Sequence, residues 1–184
     1  MMMALMALVA VVAQAADDKV TLTSGDGKWL KDGGKTATVE MDYSDTTTEG
    51  KPLNVYLASR GDNFIADWPK MVEAGRASFI EQFNKRNKKG LQVVESGDAD
   101  YQIKVIVEKL DFGKSGVAVV FGGLGSAGGA EITGKLIVTD KSGEKVAEYE
   151  LYEVRSRGSY DYTEAKRLCS CYEQIIKMTL KESK

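Results

Sequence analysis

The sequence predicts an α+β fold, a two-layer sandwich in which a mainly antiparallel sheet carries two amphipathic helices on one face. Two observations predict it. Several stretches alternate apolar and polar residues, as strands with one buried face do, and two longer stretches repeat apolar residues with a helical period. Of the 184 residues, 43% are hydrophobic and 28% are charged, which is typical of a globular protein.

The alternation of apolar and polar residues predicts the strands. Residues 37–43 show it clearly, because Ala37, Val39 and Met41 are separated by Thr38 and Glu40. The strands predicted in this way are residues 20–22, 37–43, 53–57, 91–95, 101–107, 132–138 and 146–154. Between the last two, Asp140-Lys141-Ser142-Gly143 has the composition of a hairpin turn.

Two helices follow from the 3.6-residue period. In the first, Asp67 is the predicted N-cap and Pro69 lies in the first turn, while Gly90 ends the helix. In the second, Thr163 is the predicted cap. The apolar stripe of this closing helix comprises Ala165, Leu168, Cys169, Tyr172, Ile175, Ile176 and Thr179.

Four basic residues end the first predicted helix: Lys85, Arg86, Lys88 and Lys89. Cations at a helix C-terminus offset the negative end of the helix dipole, which explains the cluster. The alternative is a phosphate or nucleic-acid site. No aromatic residues interleave with the cluster, and the chain has a formal charge of −2. We therefore expect no nucleic-acid partner.

The amino terminus has the pattern of a secretory signal. Residues 3–13 are uncharged and mostly apolar, and Ala13-Gln14-Ala15 matches a cleavage site. The run is shorter than the roughly 20 residues that a transmembrane helix needs. We expect a signal peptide at residues 1–15, an irregular lead-in at 16–35 and a single α+β domain at 36–184. The mature protein is then periplasmic or secreted, without a transmembrane span.

The absence of histidine and the presence of only two cysteines exclude several kinds of catalytic and metal site. Without histidine, no Ser-His-Asp triad, Cys-His dyad or histidine-containing zinc site can form. No cysteine directly follows the predicted leader, so no lipid anchor is expected. Two residues of helix turn about 200°, so Cys169 is expected on the apolar stripe and Cys171 on the exposed face. We expect a non-enzymatic protein without catalytic, cofactor-binding or metal-binding residues, and without a cofactor.

An uncharged segment at residues 115–130 contains six glycines. Residues 123–128 satisfy the G-x-G-x-x-G pattern of dinucleotide sites. However, a strand follows where that motif needs a helix, and Asp140 comes too early to hold a ribose. Two interpretations remain. The segment is either a strand at residues 117–121 with a glycine connector, or an apolar loop that docks a protein or membrane through Phe121 and Leu124.

A second candidate interaction loop separates the last strand from the closing helix. It contains Arg155, Arg157 and Tyr160, and arginine and tyrosine are enriched at recognition hot spots. The alternative is a polar loop whose tyrosines pack beneath it.

Short motifs in the second half of the chain resemble those of an uncharacterised family of bacterial envelope proteins. Ala99-Asp100-Tyr101 enters a strand, a glycine-rich turn follows, and Thr139-Asp140 ends a strand before Gly143. The resemblance covers roughly residues 67–180 in element order. Many members are exported or lipid-anchored, with a fold similar to the TolB amino-terminal domain. The resemblance therefore implies such a fold and a non-catalytic envelope role, and it supplies no catalytic residues.

Two classes of function stay open. The first is a secreted or periplasmic interaction module that binds an envelope protein partner through a sheet edge or through one of the two loops. The second is a small-ligand or glycan-binding protein, or a glycoside hydrolase that uses carboxylates alone. A pocket with aromatic walls and two facing acids would favour the second class, and an exposed sheet edge would favour the first.

Overall fold

The computed structural model describes residues 18–113, 129–157 and 163–183. In these ranges the chain forms one mixed sheet of eight strands with three α-helices and a short 3-10 helix. This arrangement confirms the α+β class. The signal peptide predicted at residues 1–15, the strand predicted at 117–121 and the candidate interaction residues Phe121, Leu124 and Tyr160 lie outside the described residues.

The sheet has the strand order β1-β8-β7-β6-β2-β5, and the short pair β3 and β4 joins it at β6. The strands are β1 Lys19–Gly25, β2 Thr36–Asp42, β3 Thr47–Thr48, β4 Lys51–Pro52, β5 Gln92–Val94, β6 Tyr101–Asp111, β7 Glu131–Asp140 and β8 Lys145–Arg155. The predicted strand at residues 20–22 is thus the centre of a longer strand, and the predicted hairpin turn joins β7 to β8.

The expectation of a mainly antiparallel sheet holds for only part of it. β1, β8, β7 and β6 pair antiparallel, whereas β2 runs parallel to both β5 and β6, and β3 runs parallel to β6. A long helix connects the β2 side of the sheet to β5, and such crossovers join parallel strands. Alternation along a strand reports which face is buried but not the direction of the neighbouring strand.

Helix α1 (Leu53–Arg60) replaces the strand predicted at residues 53–57. Leu53, Tyr56 and Leu57 are buried, whereas Val55 is 49% exposed. The spacing of Leu53 and Leu57 fits one face of a helix as well as one face of a strand. The prediction was wrong because it gave weight to Val55 and not to Tyr56, whose burial completes the helical face.

Helix α2 (Asp62–Arg86) begins earlier than predicted, so Pro69 lies inside it and Asp67 is not its cap. Proline cannot donate the hydrogen bond that the carbonyl of Ile65 would otherwise receive. Ile65 and Pro69 are both exposed, so water can reach that carbonyl. The helix therefore tolerates a proline that a buried turn would not.

Helix α3 (Glu164–Glu182) has the predicted cap, since the Thr163 side chain accepts a hydrogen bond from the backbone N–H of Lys166. The orientation predicted for the two cysteines was wrong. Cys171 is fully buried and donates to the carbonyl of Ala130 at 3.2 Å, whereas Cys169 is half-buried. The helix packs on both the sheet and α2, so its buried face is wider than one stripe, and it includes Cys171.

The core lies between the sheet and helices α2 and α3. Alternate residues of the central strands are fully buried on that side, among them Ile103, Val105, Leu136 and Tyr149. The 3-10 helix at Lys28–Lys31 closes one end of this core, because its Trp29 is buried and stacks on Phe83. The segment predicted as a lead-in therefore contributes to the main core.

Candidate interaction surfaces

The strands at the two ends of the main strand order, β5 and β1, differ in their hydrogen bonding. At the β5 edge, the side chain of Asn84 from α2 occupies the place of a neighbouring strand. Its Oδ1 accepts from the backbone N–H of Val93 at 2.7 Å, and its Nδ2 donates to the carbonyl of Val93 at 2.8 Å. Asn84 thereby satisfies the outer backbone groups of Val93, so this edge offers little to an incoming strand.

The opposite edge is β1, whose one partner among the described strands is β8. Within the described ranges, no backbone or side-chain group outside β8 makes a hydrogen bond to the backbone of β1. Residues 19–22 keep a regular register with β8, and a bulge follows between Leu22 and Ser24. Outward-facing N–H and C=O groups on such an edge are a template for another extended segment.

A groove of about 460 Å³ lies where β2, β3 and α1 meet the first turns of α2. Its apolar wall consists of Tyr43, Pro52, Leu53, Leu57 and Trp68. Its polar residues are Ser44, Asp45, Thr46, Thr47 and Asn54. Tyr43 and Trp68 meet edge to face with their ring centroids 4.9 Å apart, so the aromatic wall is fixed by packing. Asp45 is the one carboxylate among the described residues that line the groove.

The hydroxyl of Tyr43 is not suited to acid–base chemistry. It forms a short hydrogen bond with the hydroxyl of Tyr172, which is fully buried on α3. Burial raises the pKa of both phenols above their ordinary value. Both therefore stay protonated at neutral pH, and their role is to join β2 to α3 rather than to accept a proton.

The two predicted arginines lie in a compact ion-pair cluster at the end of β8. Arg155 contacts Glu131 and Glu153 at 2.9 Å each and Asp18 at 3.8 Å. Arg157 contacts Asp18 at 2.5 Å. The hydrogen bond to Glu131 is the largest cause of the raised pKa of Arg155. Because carboxylates already compensate both charges, this cluster ties the start of β1 to β7 and β8.

The structure thus joins Arg155 to Arg157 through Asp18. No sequence pattern indicates that link, because Asp18 lies far from both arginines along the chain. The groove was missed as well, since its wall depends on α1 being a helix. In the described part of the chain, no group of three or more cysteine, aspartate or glutamate residues is placed to hold a metal ion, and no helix there is long and apolar enough to cross a membrane.

Comparison with known proteins gives a likeness at the level of structure. No family model and no curated protein matches the chain. A solved structure of the PelC dodecamer from Paraburkholderia phytofirmans is similar with a TM-score of 0.47 and 14% identity, covering 89% of this chain and 97% of that one. A protein of the DUF330 family from Xanthomonas campestris is similar with a TM-score of 0.32 and 11% identity, covering 87% of each chain.

At these TM-scores the likeness is loose, and nothing about function follows from it. DUF330 is a family of unknown function, and no residue role is carried over from either neighbour to this chain. The predicted likeness to the TolB amino-terminal domain and the predicted envelope location stay predictions.

Proposed function

We propose that this chain is a non-catalytic interaction module of the cell envelope, and that it binds an extended segment of a partner protein along the outer edge of β1. The observation that carries the proposal is the contrast between the two sheet edges. Asn84 closes the β5 edge, whereas the regular part of β1 pairs on one side only within the described part of the chain. A partner strand would complete the hydrogen bonding of β1 and extend the sheet.

The side chains of β1 define the kind of segment that fits. Val20 is buried and Leu22 packs against the core on the helix side of the sheet, whereas Thr21 lies on the other face. A segment paired with β1 would continue both surfaces, because successive residues of a strand point to opposite faces. The expected partner sequence therefore alternates apolar and polar residues.

Site-specific photo-crosslinking tests this edge. A benzophenone amino acid placed at Thr21 should form an adduct with one envelope protein, whereas the same group at Gln92 on the closed edge should form none. The purified partner should then slow amide hydrogen exchange of residues 19–22. Equal yields at Thr21 and Gln92, or exchange at these residues that the partner leaves unchanged, would contradict the proposal.

A second candidate function rests on the groove beside Trp68. An aromatic wall, one carboxylate and several hydroxyl and amide groups suit a small polar ligand with a flat apolar face, such as a sugar ring. A carboxylate-only glycosidase needs two acids across the bond, and the described lining residues provide Asp45 alone. Binding is thus favoured over hydrolysis at this groove. Titration with soluble sugars, monitored by tryptophan fluorescence in wild type and Asp45→Asn, tests it.

A further inference from the structure

One end of the molecule carries a cleft of about 420 Å³ at the meeting point of three segments. The last turn of α2 contributes Arg86, the last turns of α3 contribute Lys177 and Lys181, and the 3-10 helix contributes Lys31. We call this feature the basic cleft. Its volume lies in the range of small-molecule sites, and four cationic side chains line it.

Most of this positive charge has no ion-pair partner among the described residues. Arg86 pairs with Glu173 at 2.5 Å. Among the described residues, Lys31, Lys177 and Lys181 form no ion pair and no side-chain hydrogen bond. By contrast, Lys104 of the sheet is paired with Asp42 at 2.8 Å. Three lysines without an ion pair in the described part of the chain therefore line one cavity.

Helix capping does not account for the whole charge. The C-termini of α2 and α3 each contribute about half a negative charge, and Glu173 adds one more. These sum to about −2, against four positive side chains that line the cleft. A net charge of about +2 remains on the described residues that line the cleft, and an anion can offset it.

The walls of the cleft are held in place by hydrogen bonds. Behind it, the indole N–H of Trp29 donates to Tyr149 at 3.3 Å, and the Tyr149 hydroxyl lies 2.6 Å from that of Ser183. The Ser183 hydroxyl then donates to the carbonyl of Thr179 at 2.8 Å. The side chain of Asn87 donates to the carbonyl of Leu30 at 2.9 Å. The 3-10 helix and both helix ends are thus fixed relative to each other.

We propose that the basic cleft binds a phosphate group. A phosphate monoester carries up to two negative charges and three acceptor oxygens, which match the residual charge and the ammonium and guanidinium donors that line the cleft. The side chains of Leu30 and Leu180 line the same cleft, so it can also accept an apolar part attached to the phosphate. A soluble phosphate monoester and the phosphodiester of a phospholipid headgroup both present anionic phosphate oxygens, with up to two negative charges on the first and one on the second. The inference does not rest on the proposed function of β1.

The test compares two double variants of equal charge change. Lys177→Gln with Lys181→Gln removes two donors from the cleft. Lys85→Gln with Lys89→Gln removes two exposed lysines at the same end of α2 that do not line the cleft. The probes are glycerol phosphate, followed by NMR at constant ionic strength, and phosphatidylglycerol vesicles against phosphatidylcholine vesicles, followed by co-sedimentation.

We expect the cleft variant to weaken binding of at least one phosphate probe by about tenfold or more, and the control variant to change it by less than about twofold. Binding of glycerol phosphate alone identifies a soluble ester, and binding of phosphatidylglycerol vesicles alone identifies a lipid headgroup. Equal losses in both variants would show a diffuse effect of net charge and overturn the proposal. Failure of the wild-type protein to bind either probe would overturn it as well.

Discussion

At the scale of single residues, Asp42 is the carboxylate whose environment makes the clearest prediction. Its hydrogen bond to Lys104, followed by bonds from Ser44, lowers its pKa to about 2. Because the pKa of Asp42 is lower in the folded protein, ionised Asp42 stabilises the fold at pH values above its unfolded-state pKa of about 4. This contribution disappears as the pH falls from about 4 to 2. Because Lys104 is 38% exposed, solvent screening limits the effect to about 1 kcal/mol.

When the pH falls from 5 to 2, we therefore expect the free energy of unfolding of Lys104→Met to drop by about 1 kcal/mol less than that of wild type. Urea unfolding at both pH values measures the difference. Lys51→Met is the matched control, since Lys51 is an exposed strand residue that forms no ion pair among the described residues and should leave the acid limb unchanged. Parallel pH profiles for wild type and Lys104→Met would show that the Asp42 pair does not act on stability.

The cysteines show how far residue-level prediction reaches. The rotation between Cys169 and Cys171 does place them on different sides of α3, and that geometry follows from the helix alone. Which side is buried depends on the neighbouring elements. Cys171 faces Ala130 at the start of β7, while the side chain of Cys169 contacts Ser78 of α2. The apolar pattern of one helix does not show that the helix contacts two surfaces.

At the scale of secondary-structure elements, the Asn84 bridge predicts the behaviour of the β5 edge. Asn84→Ala removes two hydrogen bonds to Val93 and should lower the free energy of unfolding by about 1 to 3 kcal/mol. It also opens a second sheet edge, so the variant should self-associate with increasing concentration. Chemical denaturation and sedimentation velocity measure the two effects.

Two comparisons sharpen this prediction. Asn84→Asp keeps an acceptor for the Val93 N–H and replaces the donor by a carboxylate oxygen that repels the Val93 carbonyl, so its stability should fall below that of wild type. Gln82→Ala changes a nearby residue of α2 that makes no side-chain hydrogen bond among the described residues, and it should behave as wild type. An Asn84→Ala protein that stays monomeric and fully stable would contradict the view that this side chain closes the edge.

Elements that alternate strictly could be predicted from the sequence, and elements with an ambiguous spacing could not. Strands β6, β7 and β8 lie side by side with one buried face each, so their pattern has a single period. The segment containing Leu53 and Leu57 fits two periods, and only Tyr56 distinguishes them. The sequence predicts helix α2 but places its start too late, because the exposed Pro69 resembles a first-turn proline.

At the scale of the whole molecule, the missing information is which distant segments meet. The parallel pairing of β2 with β6 depends on the crossover through α2, and no local pattern encodes it. The candidate sites also depend on contacts between segments that are distant in the sequence. The basic cleft joins Lys31, Arg86 and Lys177 from three segments, whereas the sequence shows only the cluster at the end of α2, which helix capping explains by itself.

The contribution of residues 18–35 to the core gives the last prediction. Val20, Trp29 and Leu30 are at most 6% exposed, and burial of each contributes about 1.5 to 3 kcal/mol. Their sum, about 5 to 9 kcal/mol, approaches the whole stability of a typical domain. A variant beginning at residue 36 should therefore lack a cooperative unfolding transition, although the sequence predicted a domain with that boundary.

A variant beginning at Asp18 keeps β1 and the 3-10 helix and should unfold cooperatively, as seen by circular dichroism during heating. Trp29→Phe in that variant retains the apolar contact with Phe83 and loses the N–H bond to Tyr149, so it should cost about 1 to 2 kcal/mol and still fold. If the variant beginning at residue 36 unfolds cooperatively with stability within about 2 kcal/mol of the Asp18 variant, then the segment before it is an accessory to the fold. The burial of Trp29 would then be a consequence of folding, since the sheet and helices would form without it.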